Sequence, residues 1–234
     1  MSGFFDYFQV SGLALFLFLF VGRTVYLRRR KKVTAITLST GNKGTQGILE
    51  VSLFVAVNVW IAEVLLYALH RDFRIFPWPL DIKLIDSMPG QVIGVVLAVL
   101  GFVIFTLALV TLGDSWRLGI DEKTPGELIT RGIYSISRNP VYIFFALYFL
   151  GTFLINGAVI FLLFTGLVVF NLHYQILGEE KFLQRRYGQK YRDYYAITGR
   201  YFTWRKTPGN TWANLHFSLH RLISRACSTW GGKL

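Results

Sequence analysis

Two polar segments flank a long apolar run, and both carry side chains suited to binding a charged group. The first, RGIYSISRNPVY over residues 131–142, brings Arg138, Asn139 and Pro140 to the start of the run. Proline favours the first turn of a helix and asparagine its N-cap, so a helix is predicted to begin at Pro140. The positive end of that helix, helped by Arg138, would suit a carboxylate. The alternative is a capped helix whose arginine only follows the charge rule for membrane loops.

The second polar segment, over residues 178–202, holds two adjacent carboxylates in an otherwise basic stretch. Glu179 and Glu180 would suit ribose hydroxyls, an ammonium or a sulfonium. The tyrosines that follow at about helical spacing, such as Tyr191, would favour a cation. A simpler interpretation is that the pair starts a solvated, amphipathic helix, interrupted at Gly188, whose tyrosines lie at the membrane interface.

The elements that must position these segments are expected to be membrane helices. Hydrophobic residues make up 53% of the 234 residues and charged residues 16%, and the mean hydropathy is +0.44. These values are typical of a membrane protein rather than a soluble domain. The single cysteine, Cys227, excludes an internal disulfide framework and a multi-cysteine metal site, and no metal is expected.

Five apolar stretches are predicted to cross the membrane as helices, over residues 7–27, 48–69, 91–112, 140–155 and 158–175. The run over residues 141–175 would form a helix of about 52 Å, too long for one crossing. Asn156 and Gly157 near its middle therefore predict a helical hairpin. The N-terminus contains Asp6 but neither lysine nor arginine, unlike a cleaved signal sequence, so we expect the first helix to be retained.

Lysine and arginine concentrate in residues 28–43, 113–138 and 178–234. The positive-inside rule places these segments in the cytoplasm and the N-terminus outside, with a multi-pass chain in the cell inner membrane or an equivalent membrane. The net charge of +12 then fits contact with anionic lipid, and a nucleic-acid partner is not expected.

The overall prediction is an all-α integral membrane protein with about five transmembrane helices and a cytoplasmic C-terminal helix. One membrane domain would cover residues 1–203, followed by an amphipathic surface tail over residues 204–234. The apolar face of that tail consists of Trp212, Leu215, Leu219, Leu222, Ile223 and Ala226.

The joint order of these motifs resembles the isoprenylcysteine carboxyl methyltransferase family, in particular its compact prokaryotic members. The motifs are Gly132-x-Tyr134-x-x-x-Arg138-Asn139-Pro140-x-Tyr142, Glu179-Glu180-x-x-Leu183, Tyr187-Gly188-x-x-Tyr191-x-x-Tyr194 and Thr198-Gly199-Arg200. The resemblance covers about residues 111–203. The chain departs from the family at Asn139, where histidine is usual, and at Gln175, near which the family often has an arginine.

The resemblance implies an integral membrane enzyme that uses S-adenosylmethionine, with its active site at the cytoplasmic face. The expected cofactor-binding residues are Tyr134, Arg138, Asn139, Pro140, Tyr142, Glu179, Glu180 and Tyr191. The expected catalytic residues are Arg138, Arg200 and Glu180, with Arg117 as a further anion-binding candidate. A lipophilic carboxylate that enters from the bilayer is the expected methyl acceptor, and the oligomeric state is left open.

Other functions remain compatible with the sequence. The acceptor could be a phospholipid amine or a small thiol. A membrane reductase of the sterol reductase type that uses NADPH is similar around Arg138 to Tyr142, although the glutamate pair and the Tyr-Gly-x-x-Tyr spacing favour the methyl donor. A small transporter or scaffold would explain the apolar helices and the basic tail, but not the clustering of polar motifs on one face.

Four further polar residues are weaker candidates. Glu63 lies inside the second apolar stretch, where we expect a hydrogen bond to a neighbouring helix, or a reach to the interface, rather than catalysis. Asn58 is interpreted in the same way. His173 would either line the pocket or mark the interface, and Cys227 is expected to be inert because no base pairs with it.

Overall fold

The computed structural model describes residues 2–31, 45–71, 73–115 and 127–203. Regular structure in these ranges is helical, apart from one isolated bridge between Lys83 and Ala158. The α-helices are α1 (Ser2–Lys31), α2 (Thr45–Ala68), α3 (Met88–Leu112), α4 (Pro140–Asn156), α5 (Val159–Tyr187) and α6 (Gln189–Ile197). Short 3-10 helices cover Gly113–Ser115 and Gly132–Ser135. The predicted all-α class is confirmed.

Within the described ranges, α1, α2, α3 and α5 are long and apolar enough to span a bilayer. Helix α4 is also apolar, but its 17 residues extend only about 25 Å. These helices fit a multi-pass membrane protein. The count of five crossings and the outside position of the N-terminus stay predictions.

The fifth helix is longer than the sequence indicates. We predicted that it ends near residue 175, whereas α5 continues to Tyr187 and includes Glu179 and Glu180. The interpretation of the glutamate pair as a helix start is therefore wrong. The physical reason is that no proline or positive-φ residue interrupts α5 before Gly188, whose φ of 55° separates α5 from α6.

Helices α3 and α4 pack closely because glycines face each other across their contact. A Cβ atom added to Gly94 would lie 2.6 Å from the carbonyl oxygen of Gly151, and the reverse substitution would create the same contact. Small residues at such positions let two membrane helices approach and gain dispersion energy. This packing fixes α4, whose first turn belongs to the candidate site.

The predicted turn at Asn156-Gly157 is confirmed, since it joins α4 to α5 with Gly157 at φ 73°. The carbonyl oxygen of Gly157 accepts a hydrogen bond from the Leu84 amide at 2.7 Å. Gln9 on α1 and Asn156 exchange hydrogen bonds at 2.6 and 3.3 Å. The N-terminus, the α2–α3 connection and the α4–α5 turn therefore lie together at one end of the helix bundle.

Glu63 and Asn58 have structural hydrogen bonds. Glu63 is buried, and its Oε2 atom accepts the Ile75 amide at 3.0 Å. The predicted hydrogen bond of Glu63 is present, but its partner lies in the connection after α2 rather than in a neighbouring helix. Asn58 donates to the Phe54 carbonyl of its own helix at 2.8 Å. The predicted surface tail, Cys227 and Arg117 lie outside the described residues.

Candidate functional site

Three parts of the chain meet at the end of the bundle opposite Asn156. The first is residues 132–142, which lead into the first turn of α4. The other two are the last turns of α5 and α6 with the residues 198–203 that follow it. The segment 198–203 is called the strap. It lies against the residues that precede α4, so polar side chains that are far apart in sequence become neighbours.

Hydrogen bonds fix the backbone of the strap. The Arg138 amide donates to the Gly199 carbonyl at 3.0 Å, and the Arg200 carbonyl accepts from Ser137 Oγ at 3.2 Å and Asn139 Nδ2 at 3.1 Å. Ser137 is buried, and no pattern in the sequence had indicated a role for it. These contacts place the Arg200 side chain beside α5.

Pro140 occupies the first turn of α4 as predicted, with Asn139 at the N-cap position. The predicted capping role of the asparagine side chain is wrong, since no side-chain hydrogen bond caps the helix. The backbone of Asn139 has φ −132° and ψ 53°, and its side-chain amide bonds to the Arg200 carbonyl instead. A tertiary contact has replaced the local cap.

Glu180 lies between the two arginines that the sequence indicated. Arg138 Nη2 is 2.8 Å from Glu180 Oε1, and Arg200 Nη2 is 2.8 Å from Glu180 Oε2. Both guanidinium groups also donate through Nε. The buried carboxylate is thus paired on both oxygens, which compensates its removal from water.

The two arginine side chains differ in their exposure and in the number of groups that they contact. The Arg138 side chain is 6% exposed, lies 4.0 Å from the centre of the Tyr195 ring, and donates through Nη1 to the carbonyls of Tyr195 and Thr198. The Arg200 side chain is 29% exposed, and its hydrogen bonds to described residues all go to Glu180. Hydrogen bonding to Glu180 raises the pKa of Arg200 above its ordinary value. Arg138 is therefore held by several parts of the structure, whereas the described residues leave Nη1 of Arg200 unbonded.

Glu179 faces the first turn of α4. Tyr142 Oη donates to Glu179 Oε2 at 2.8 Å, and within the described residues Glu179 Oε1 has no hydrogen-bond partner. The side chain is only partly buried. Of the two adjacent carboxylates, Glu179 is therefore the one with an oxygen that the described residues leave unbonded.

Tyrosines form the interior wall of the site. Tyr194 Oη donates to the Tyr134 carbonyl at 2.6 Å, which ties α6 to the 3-10 helix before α4. Burial raises the pKa of Tyr134, Tyr191 and Tyr194, and nearby Glu179 adds to the effect at Tyr134. Their hydroxyls therefore remain protonated donors at neutral pH. The Tyr191 hydroxyl is buried without a partner among the described residues.

Two other polar residues of α5, Gln175 and His173, have no hydrogen bond to Glu179, Glu180 or Arg138. Gln175 Nε2 donates to Asn171 Oδ1 at 2.9 Å, so Gln175 bonds within its own helix. His173 Nδ1 lies 2.7 Å from the Tyr201 hydroxyl and joins α5 to the strap. Buried Thr198, whose carbonyl accepts from Arg138, belongs to the Thr-Gly-Arg motif but was not singled out from the sequence.

The donor set fits S-adenosylmethionine. Among the described residues, Glu179 has one oxygen without a hydrogen bond, which suits ribose hydroxyls or an ammonium. Arg200 has its Nη1 unbonded there, which suits a carboxylate, and aromatic rings suit a sulfonium. The Tyr191 hydroxyl adds a buried polar atom that has no hydrogen bond among the described residues. The residues that would hold the cofactor lie between Tyr134 and Tyr142, before and within the first turn of α4, together with Glu179 on α5.

Comparison with known proteins finds a family model and curated relatives that match part of the chain. Residues 90–190 match the family model described as phospholipid methyltransferase. Two similar relatives are the probable protein-S-isoprenylcysteine O-methyltransferases of Oryza sativa subsp. indica and subsp. japonica. Each is 31% identical over 105 residues, which is 44% of this chain and 55% of the relative.

The chain thus spans about half the length of the curated relatives that it matches. No solved structure matches significantly. These matches confirm the resemblance to the isoprenylcysteine carboxyl methyltransferase family, and the family model covers most of α3 and all of α4 and α5.

Proposed function

From the membrane methyltransferase likeness of residues 90–190, we propose that this chain transfers a methyl group from S-adenosylmethionine to a lipophilic acceptor. The observation that carries the proposal is the arrangement of Glu179 and Arg200. Within the described ranges, each has a polar atom without a hydrogen bond at the same end of the bundle. One of these atoms suits a cation or hydroxyls, and the other suits an anion.

The roles of the two glutamates follow from their partners. Glu179, supported by Tyr142, is the carboxylate that contacts the cofactor. Glu180 is occupied by Arg138 and Arg200 and holds the three chain segments in place. The sequence interpretation gave both glutamates a contact with the cofactor, and we now propose direct contact for Glu179 and a positioning role for Glu180.

When bound, S-adenosylmethionine supplies an electrophilic methyl group on a sulfonium. The chain's own contribution is orientation and exclusion of water, since charge is lost as the methyl group moves to an anionic acceptor. A carboxylate acceptor needs no base at neutral pH, which agrees with a site whose most buried carboxylate is paired with arginines. Arg200 Nη1 would orient that carboxylate or the carboxylate of the cofactor.

The proposed acceptor is a lipophilic carboxylate of the isoprenylcysteine type, which the names of the rice relatives support. A phospholipid amine is the second candidate, because the matching family model is that of phospholipid methyltransferases. The proposed location of the site is the cytoplasmic face of the membrane, on the basis of the lysine and arginine distribution. Anionic lipid is the proposed surface partner there.

The test is methyl transfer by the purified chain in lipid nanodiscs. Labelled S-adenosylmethionine is supplied with host lipid extract, or with a panel of prenylcysteine, amine and thiol acceptors. We expect a base-labile labelled ester, since methyl esters hydrolyse in alkali and N-methyl products do not. A labelled phospholipid amine would overturn the acceptor class, and absence of transfer with absence of cofactor binding would overturn the function.

A further inference from the structure

The α2–α3 connection, described over residues 69–71 and 73–87, has apolar side chains both toward and away from the bundle. Phe76, Leu80 and Ile85 pack against the hydrophobic core, and the Phe76 ring lies 5.7 Å from the ring of Phe164 on α5. Other large apolar side chains are exposed, and those called the outer surface are Phe73 at 70%, Trp78 at 78%, Ile82 at 44% and Leu84 at 54%. The described helices leave this apolar surface uncovered.

Charged groups on the same connection face partners within the protein. Arg74 lies 4.4 Å from the centre of the Tyr67 ring and donates through Nη1 to the Leu66 carbonyl at 3.3 Å, near the end of α2. Lys83 and Asp86 form an ion pair at 3.6 Å. Large apolar side chains that face outward, next to charges that are paired or turned inward, are the reverse of what is expected for a loop in water.

Backbone hydrogen bonds fix the connection to the α4–α5 turn. The amides of Leu84 and Ile85 donate to the Gly157 carbonyl at 2.7 and 3.3 Å, and the Ile160 amide donates to the Leu80 carbonyl at 2.9 Å. Because these bonds tie the connection to the end of the bundle, its outer surface has a set orientation relative to the helices.

The outer surface leads directly into the exposed side of α3. This helix is long and apolar enough to span a bilayer, and its exposed side chains include Met88, Val92 and Val96. Leu84 precedes Met88 by only four residues. The charges on the connection argue against the hydrocarbon centre, where they are costly, whereas the boundary between headgroups and acyl chains accepts tryptophan and charged groups together.

We propose that the outer surface is a membrane anchor, which inserts into the headgroup–acyl boundary of the leaflet opposite the candidate site. Its partner is the lipid of that leaflet. The Trp78 ring suits this depth, because the indole has a large apolar area and one N–H donor. Since the connection is bonded to Gly157, the anchor also holds the α4–α5 turn at the interface. The proposal depends on the membrane class alone and is independent of methyl transfer.

The experiment measures the depth of a fluorescent label in lipid nanodiscs. Trp78→Cys is made in the full chain with Cys227→Ser, and the new thiol is labelled with an environment-sensitive fluorophore. Lipids brominated near the headgroup should quench this label about twofold more strongly than lipids brominated near the end of the acyl chain. Aqueous iodide should quench it weakly.

Three labelled positions serve as references. Val96→Cys on α3 should be quenched by the deeply brominated lipid, and Lys181→Cys near the end of α5 should be quenched by iodide. Asp86→Cys is the matched control, because its side chain belongs to the same connection and is 69% exposed, but carries a charge. Its label should be quenched by iodide more strongly than the label at Trp78.

A Trp78 label that iodide quenches as strongly as the label at Lys181 would overturn the anchor, and the outer surface would then be open to a protein partner. A label that neither quencher reaches would also overturn it, since a second copy of the chain would then cover the surface. If Trp78→Cys does not fold, Phe73→Cys tests the same surface with the same expected and contradicting results.

Discussion

Arg138 and Glu180 lie 2.8 Å apart in space, although 42 residues separate them in the sequence. The contact joins the segment before α4 to the end of α5, and both side chains are buried. Since a buried charge is tolerated only with a partner, this pair constrains how the α4–α5 hairpin closes at the end that carries the candidate site.

Removing the charge of Glu180 should therefore destabilise the protein as well as abolish activity. Glu180→Gln leaves Arg138 buried beside a neutral amide, with an expected cost of about 3 kcal/mol in the free energy of unfolding. Thermal unfolding and methyl transfer in nanodiscs measure the two effects. The matched control is Lys181→Gln, an exposed neighbour on α5, which should be neutral. Wild-type stability and cofactor binding in both Glu180→Gln and Arg138→Ala would refute the site assignment.

Glu179 should affect cofactor affinity more than stability, because the residue is partly exposed and only one oxygen is bonded. We expect Glu179→Gln to weaken S-adenosylhomocysteine about tenfold while the Tm changes little. Tyr142→Phe should reproduce part of this loss, since it removes the hydroxyl that orients Glu179. Calorimetric titration measures both affinities. The assignment of Glu179 over Glu180 as the contacting carboxylate fails if Glu179→Gln binds the probe like the wild type.

The close approach of α3 and α4 should make Gly94 sensitive to a single methyl group. Gly94→Ala places a Cβ 2.6 Å from the Gly151 carbonyl oxygen, so the helices must separate and the Tm should fall. Gly166→Ala on α5 is the control, because a Cβ there meets nothing within 4 Å. That substitution should be neutral or stabilise by up to about 1 kcal/mol, as expected for glycine replaced by alanine in a helix. Equal Tm values for the two variants would contradict the packing.

Stability should fall at alkaline pH. Burial raises the folded-state pKa of Tyr134, Tyr191 and Tyr194 above the ordinary value of 10.0. The unfolded chain therefore releases these protons first, and the stabilisation present below pH 10 is lost as the pH rises above it. Ultraviolet titration of tyrosinate should show a class of tyrosines that ionise only when the chain unfolds. Replacement of all three by phenylalanine should reduce the number of tyrosines in this class by three, and an unchanged number would count against the assignment.

Local sequence patterns predicted much of the fold because they depend on neighbours in the chain. Pro140 marked the start of α4, Asn156-Gly157 marked the hairpin turn, and Gly188 marked the break between α5 and α6. The end of α5 was missed because hydropathy reports where apolar residues stop, whereas a helix ends where its backbone is interrupted.

The sequence by itself determined the helical membrane class, the polar residue types and the resemblance that groups them. Only the tertiary structure decided the partners: Glu180 is shared by Arg138 and Arg200, Glu179 accepts from Tyr142 through one oxygen, and Asn139 bonds the strap rather than capping α4. The physical reason is that helix propensity and hydropathy depend on residues that are close together in the sequence. The pairing of buried polar groups depends instead on which segments meet in space, and each such group bonds the partner that packing brings within reach.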